Sequence, residues 1–167
     1  MKSSILTFLL SLIFGTTLVH GAVITVGSGE SIQTAVDGAA DGDEIVLTYP
    51  GQYLGNVIVS GKALTIRAVD SEYTNILGNF TILNHPASSV SSLKSFTMSG
   101  SLQSSGSGEL RVLGMKIDTD FNASGLNKVF FENSTVQKVT SDGTLYFSGS
   151  TVEALSLKNS PKLVLQN

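Results

Sequence analysis

The chain has 167 residues, no cysteine, no tryptophan and a formal net charge of −3. This mild acidity argues against nucleic acid and anionic membrane surfaces as partners, because both need a concentrated basic face. Without cysteine, neither disulfides nor thiolate metal sites contribute to stability.

Residues 1–21 are predicted to be a secretory signal peptide. Lys2 supplies the positive charge, residues 5–14 form an apolar stretch, and Gly21 precedes the expected cleavage point. The apolar stretch is far shorter than the roughly 20 residues that span a bilayer. We therefore expect a secreted or cell-surface protein of one domain, residues 22–167, with no membrane span after cleavage.

The first predicted elements are a strand at Val23–Val26 and a helix that Ser31 caps. A second strand is predicted over residues 44–48, and the turn at Pro50 and Gly51 ends it. The helix is amphipathic because its apolar positions have a spacing of three and four: Ile32, Ala35, Val36 and Ala39.

Three further strands are predicted over residues 56–60, 63–68 and 74–83, the last of them divided near Gly78. No helix separates them. Closely spaced strands often form the hairpins of an antiparallel sandwich, which is the first alternative. Hairpin signals are weak, however, because Asn-Gly and Asp-Gly pairs occur only at residues 41–42 and 142–143.

A sequence repeat in the second half favours a different architecture. The segment 129–136, VFFENSTV, is followed by a second copy, LYFSGSTV, at 145–152. Looser copies begin at Phe96, Val112 and Leu163, and the starts from Val112 onward recur with a period of roughly 16–18 positions. A unit of this length fits one coil of a parallel β-solenoid with short strands and tight corners.

In such a coil, equivalent inward residues stack on one another from coil to coil. The repeat therefore predicts Phe131 over Phe147 and Val136 over Val152 in the core. Polar residues of the repeat are expected at corners, where their side chains bond the turning backbone: Asn133, Ser134, Ser150 and Asn167.

The N-terminal segment resembles the opening of pectin-lyase-like right-handed parallel β-helix proteins. The resemblance rests on residues 31–47, SIQTAVDGAADGDEIVL, on Pro50-Gly51-Gln52-Tyr53, and on the strands at 56–59 and 63–68. It implies an all-β, right-handed parallel β-helix in which an amphipathic helix caps the first coil. The cap has a physical purpose, because the first coil would otherwise expose its core and an unpaired strand edge.

The resemblance implies no catalytic residue. Pectin methylesterases, galacturonases and pectate lyases carry characteristic motifs further along the chain, and none of them is present. The nearest segment, residues 118–122 (DTDFN), does not match the esterase motif. Fold and function must therefore be argued separately.

Asp118 and Asp120 are the best candidates for a carboxylate site, because residues two apart on a strand share a face. Arg111 and Lys116 lie nearby in sequence. Two carboxylates nevertheless fall short of the 6 to 8 oxygen ligands typical of calcium, so we expect solvated surface groups. His85 precedes a proline and is predicted to be exposed in a loop, without the Ser-Asp partners of a triad.

Stacked aromatic side chains are typical of carbohydrate-binding surfaces. The repeat contains such residues, and core packing is expected to account for at least half of them: Phe130, Phe131, Tyr146 and Phe147. The sequence thus predicts no catalytic, cofactor-binding or metal-ligating residue.

Two hypotheses for function remain open. The first is a secreted or cell-surface β-helix, a non-catalytic scaffold or adhesin-like module that binds polysaccharide or protein. The rival is the N-terminal part of a polysaccharide lyase or pectinesterase-like enzyme whose catalytic coils lie beyond Asn167. The last coil begins at Leu163 and stops without a cap, which predicts either a truncated chain or self-association through an open C-terminal coil.

Overall fold

The structure, a computed structural model, describes residues 21–126, 128–159 and 162–166. The predicted signal peptide up to residue 20 and the predicted corner at Asn167 lie outside the described residues. The described chain forms an all-β parallel β-solenoid of about seven turns with one short helix. The predicted fold class is confirmed, and the antiparallel sandwich is excluded.

Short strands separated by turns make up almost the whole described chain. One helix, α1 (Ile32–Gly38), interrupts them near the N-terminus. Within the described ranges it is too short and too polar to cross a membrane. The strands are β1 (Val23–Val26), β2 (Glu44–Leu47), β3 (Gln52–Leu54), β4 (Val57–Ser60), β5 (Thr65–Ala68), β6 (Asn75–Leu77), β7 (Phe80–His85), β8 (Val90–Lys94), β9 (Thr97–Met98), β10 (Leu102–Gly106), β11 (Glu109–Leu113), β12 (Lys116–Ser124), β13 (Lys128–Glu132), β14 (Thr135–Ser141), β15 (Thr144–Ser148), β16 (Thr151–Leu157) and β17 (Leu163–Gln166).

The strands form two sheets. Sheet A has the order β1-β2-β5-β8-β11-β13-β15-β17. Sheet B contains β3, β4, β6, β7, β9 and β10, together with the longer strands β12, β14 and β16. Neighbouring strands in both sheets pair in parallel, as expected when each coil lies on the previous one.

The shape of the coil changes along the solenoid. The early coils have three strands each, such as β5, β6 and β7. In the later coils one long strand replaces the second and third: β12 pairs with β9 through Lys116 and Ile117, and with β10 from Phe121 onward. A register shift between Ile117 and Asp120 marks the bend between these two halves. Losing one corner shortens the coil.

Apolar side chains stack into columns inside the solenoid. In sheet A, Phe131 and Phe147 are register partners with their rings stacked at 5.0 Å, and in sheet B Val136 pairs with Val152. Both predicted core pairs are confirmed. The column of sheet A runs through successive register partners: Ile24, Ile45, Ile66, Leu93, Val112, Phe131, Phe147 and Leu165.

The register corrects the predicted repeat in its weaker copies. Val112 pairs with Phe131, whereas the predicted partner Val129 pairs with Leu110. The copy that begins at Phe96 does not belong to sheet A, because Thr97 pairs with Lys116 in sheet B. Both errors arise because alternating apolar residues recur within each strand as well as in both sheets, so similar letters identify neither the register of two strands nor their sheet.

Serine side chains hold the corners of the later coils. The Ser134 hydroxyl accepts a hydrogen bond from the Met115 amide at 3.1 Å and lies 2.9 Å from the Glu132 carbonyl. One coil later, the Ser150 hydroxyl accepts from the Ser134 amide at 3.0 Å. Asn133 adopts a positive φ of 48°, which asparagine tolerates better than most residues. These three predicted corner residues are confirmed.

Helix α1 closes the N-terminal end as predicted. The Ser31 hydroxyl accepts from the Thr34 amide, and Ile32 and Val36 are buried against the first coil. Gln33 has a further function: its side-chain amide accepts from the Ile58 amide at 2.6 Å and donates to the Ile58 carbonyl at 3.1 Å. It thereby satisfies the edge of β4 in place of a neighbouring strand.

The turn between α1 and β2 is fixed by two aspartates. Asp43 is buried, and its two oxygens accept from the amides of Ala22 and Ala40, both at 2.7 Å. Asp41 accepts from the Ala63 amide in the next coil at 2.7 Å. The Gly-Asp turn of the predicted motif thus connects β1, the helix and two successive coils.

Two adjacent residues of β13 allow a direct test of the core column. Phe131 is 1% exposed and faces inward, whereas Phe130 faces outward and is half-buried. We expect Phe131→Ala to lower the free energy of unfolding by about 3–5 kcal/mol, because it leaves a cavity beneath Phe147. Phe130→Ala should cost about 1–2 kcal/mol, through its lost ring contact. If denaturant titrations show that both variants lose the same free energy of unfolding, the assignment of Phe131 to the inside and Phe130 to the outside is contradicted.

Candidate functional site

The outer face of sheet B carries a row of uncharged polar side chains, which we call the polar row: Thr81, Gln103, Asn122 and Thr140. These residues are register partners on β7, β10, β12 and β14. Each lies between two inward residues of its strand, so each side chain points outward. Adjacent strands place successive members about 4.8 Å apart along the solenoid.

The polar row lines an open cavity of about 190 Å³, together with Lys158 and the serines at 105 and 124. Elsewhere on sheet B, the outward Asn75 of β6 forms a hydrogen bond at 3.1 Å with Ser99, which follows β9. Among the described residues, the side chains of the polar row have no such protein partner. Their amide and hydroxyl groups are therefore available to a ligand.

A second outward row lies on sheet A and contains aromatic rings. Phe130 and Tyr146 stack with centroids 4.3 Å apart and planes 9° from parallel. The guanidinium carbon of Arg111 lies 5.4 Å from the centre of the Phe130 ring, and its Nε is 2.7 Å from a Glu109 oxygen. As predicted, half of the four aromatic residues of the repeat belong to the core, and this pair lies outside.

The geometry of this aromatic row does not suit sugar stacking. A sugar packs against the face of an aromatic ring, but the inner faces of Phe130 and Tyr146 cover each other. Arg111 covers the far side of Phe130, and Val164 follows Tyr146 in register. The row exposes mainly ring edges, so we assign it a stabilising role as a side-chain ladder.

Asp118 and Asp120 lie on the outside of β12, at the bend. Lys116 Nζ is 2.7 Å from Asp118, and Lys138 Nζ is 3.6 Å from Asp120. Each carboxylate therefore has its own lysine. Across the described part of the chain, no three His, Cys, Asp or Glu side chains come together as a metal site.

The prediction for His85 is wrong. It ends strand β7 and is 2% exposed, instead of lying exposed in a loop. Ring atom Nε2 is 2.8 Å from the Ser91 hydroxyl, and Nδ1 is 3.2 Å from the Pro86 carbonyl. The cause is that β7 extends to residue 85 and that the corner after it, residues 86–89, brings Ser91 of β8 back to the ring.

The hydrogen-bonded pair of Ser91 and His85 resembles half of a catalytic triad. Ser91 is itself 2% exposed, and its hydroxyl accepts from the Leu64 amide at 3.3 Å. A nucleophile must reach its substrate, so this pair does not act as one in the folded chain. Burial lowers the pKa of His85, while the Pro86 carbonyl and the charge of Asp41 oppose this shift.

The last described coil presents an apolar surface. Leu163 and Leu165 continue the inward column on β17, yet Leu165 is 71% exposed. Together with Leu155 of β16 they line a cavity of about 260 Å³. Within the described ranges no strand pairs with the outer edges of β16 and β17. Self-association through this coil stays a prediction.

The polar row was missed at the sequence level. Its members, two threonines, a glutamine and an asparagine, lie on coils of unequal length, so no repeat of letters identifies them. The available signal was the alternation within each strand, for example exposed Gln103 between buried Leu102 and Ser104. Aligning these strands requires the coil lengths, which only the register provides.

The comparisons with known proteins do not assign a family. No protein-family model matches the chain, and neither a curated protein nor a solved structure is significantly similar to it.

Sedimentation tests the apolar C-terminal surface. We expect the purified chain to self-associate as its concentration rises, because Leu165 and its neighbours expose an edge with which no described strand pairs. Leu165→Lys should weaken association about tenfold or more, since it places a charge in that contact. Leu54 is 79% exposed on β3, so Leu54→Lys is a matched control that should have no effect. A monomer at every concentration, or equal effects of the two variants, would refute the prediction.

Proposed function

We propose that this chain is a secreted or cell-surface, non-catalytic β-solenoid whose polar row binds polysaccharide. The observation that carries the proposal is the availability of four outward amide and hydroxyl groups in register across four coils. A rigid backbone ladder fixes their positions before any ligand binds, which lowers the entropic cost of binding.

The chemistry of the row favours a glycan over a protein. Protein interfaces usually have an apolar, aromatic core, whereas the polar row offers uncharged donors and acceptors. The hydroxyl groups of a sugar both donate and accept, as do the amides of Gln103 and Asn122. A chain lying along the solenoid would meet a new side chain about every 4.8 Å.

A further argument comes from the resemblance of the N-terminal segment to pectin-lyase-like proteins, many of which act on polysaccharides. Residues 31–47 carry this resemblance, and they form the capping helix and the first turn. We propose membership of this superfamily on the ground of the capping segment, whereas the proposed binding function rests on the polar row.

Replacing one member of the row tests the proposal. Asn122→Ala should weaken binding to the preferred polysaccharide about 2- to 10-fold, since it removes one hydrogen-bonding side chain. Asn75 is the matched control: it is also an outward, half-buried asparagine of sheet B, but it bonds Ser99. Affinity electrophoresis in gels containing pectin, alginate or xylan measures the change.

We expect retardation of the unmodified chain in at least one of the three gels. Asn75→Ala should migrate like the unmodified chain, and Asn122→Ala should migrate faster. Absence of retardation in all three gels would refute polysaccharide binding. Sustained release of oligosaccharides from pectin or alginate would contradict a non-catalytic role and support the enzyme hypothesis.

A further inference from the structure

The corner formed by His85, Pro86, Ser89 and Ser91, here the His85 corner, lies where two coils meet. His85 ends the coil of β5, β6 and β7, and Ser91 belongs to the next coil, on β8. The Ser91 hydroxyl accepts from the Leu64 amide at 3.3 Å, and the His85 carbonyl accepts from the Ser107 amide at 3.0 Å. The His85 corner is thus hydrogen-bonded to the preceding corner through Leu64 and to the following corner through Ser107.

We infer that the His85 corner is an acid-sensitive joint that holds these coils together at neutral pH and loosens them when the imidazole takes up a proton. The inference goes beyond polysaccharide binding and does not depend on it.

The hydrogen bonds define the neutral state of the ring. The Pro86 carbonyl only accepts, so the Nδ1 atom facing it carries the hydrogen. The Ser89 hydroxyl donates to the same carbonyl at 2.6 Å and lies 3.3 Å from Nδ1, where its oxygen can accept. Nε2 is then an acceptor, and the Ser91 hydroxyl donates to it across 2.8 Å. Ser91 also accepts from Leu64, so this one hydroxyl uses both its donor and an acceptor position.

Protonation breaks this arrangement. Nε2 would then carry a hydrogen, and the Ser91 hydroxyl proton would have to turn away from the ring. Ser91 is 2% exposed, so water does not readily replace the lost acceptor. A buried positive charge and a buried, unpaired hydroxyl proton are both costly.

The surroundings leave little room for the ring to move. Gly106 and Gly108 pack directly over His85, and a β-carbon at Gly108 would overlap Nδ1. The cost of protonating the imidazole is therefore relieved only when the neighbouring coils separate. Glycine at these two positions is a steric requirement, because only a hydrogen fits beside the imidazole and the His85 backbone.

Three charged groups near the corner, Asp41, Lys62 and Glu109, are already bonded elsewhere. Asp41 accepts from the Ala63 amide, and Lys62 donates to two carbonyls at the end of α1. Glu109 of β11 pairs with Arg111. Asp41 favours the charged imidazole from a distance, but burial is the larger influence and lowers the pKa of His85.

The direction of the pH effect follows from this lowered pKa. In the unfolded chain the imidazole titrates near its ordinary value of 6.5. The contribution of the neutral ring to stability is therefore fully present above pH 6.5 and is lost as the pH falls toward the lower pKa of the folded chain.

Hydrogen exchange combined with NMR titration tests the joint in the full secreted chain. Protection of the Leu64 and Ser107 amides should fall about tenfold or more between about pH 7.5 and pH 4.5, after correction for intrinsic exchange. The Met115 amide is an internal control, because it donates to a serine hydroxyl at 3.1 Å without a histidine nearby. Its protection should not change.

His85→Gln should abolish the pH dependence at Leu64 and Ser107, since glutamine fills the site without titrating. The ring-carbon titration of the unmodified chain requires no variant and should give a pKa below 6.5. A pKa at or above the ordinary histidine value, or equal loss of protection at Met115 and Leu64, would overturn the inference. Neither result would alter the binding test on Asn122.

Discussion

Parallel, in-register stacking of coils is the constraint on which the rest of this structure depends. Each strand bonds the same part of the previous coil, so a side chain at one position contacts its equivalent one coil away. Phe131 meets Phe147 inside the solenoid for this reason, and Phe130 meets Tyr146 outside it. The same register aligns the polar row, although its members form no recognisable repeat in the sequence.

Stacking also creates a problem at the first described coil, because no described strand precedes it. Side chains in this part of the chain bond the backbone groups that a preceding strand would otherwise bond. Gln33 pairs with both polar groups of Ile58, and Asp43 accepts from the amides of Ala22 and Ala40. Residues 31–47, on which the resemblance rests, thus include side chains that bond free backbone groups at this end of the solenoid.

Local signals explain what the sequence predicted correctly. The cap of α1, the first strands and the late coils are each defined within a short stretch of chain, by Ser31, the Pro-Gly turn and the pair of aromatic segments. The errors at Val112 and Phe96 arose where coil length changes. Coil length depends on how many strands and corners a turn contains, which neighbouring residues do not determine.

The candidate sites were harder to predict for the same reason. Asn122 becomes part of a surface only through register partners one coil away on each side. His85 was misplaced because proline after it indicated a loop, whereas burial depends on the return of β8 and on two distant glycines. In a solenoid, the surroundings of a side chain therefore depend on its neighbours in adjacent coils more than on the sequence motif within its own coil.

The side-chain amide of Gln33 makes the two ends of sheet B different, because it bonds the strand edge at the N-terminal end. It is a terminator for sheet B: its two bonds to Ile58 occupy the edge of β4, so a further strand cannot pair at that position. Duplication of an internal coil would lengthen the solenoid and leave this terminator untouched, but a coil placed before β1 would need a new one.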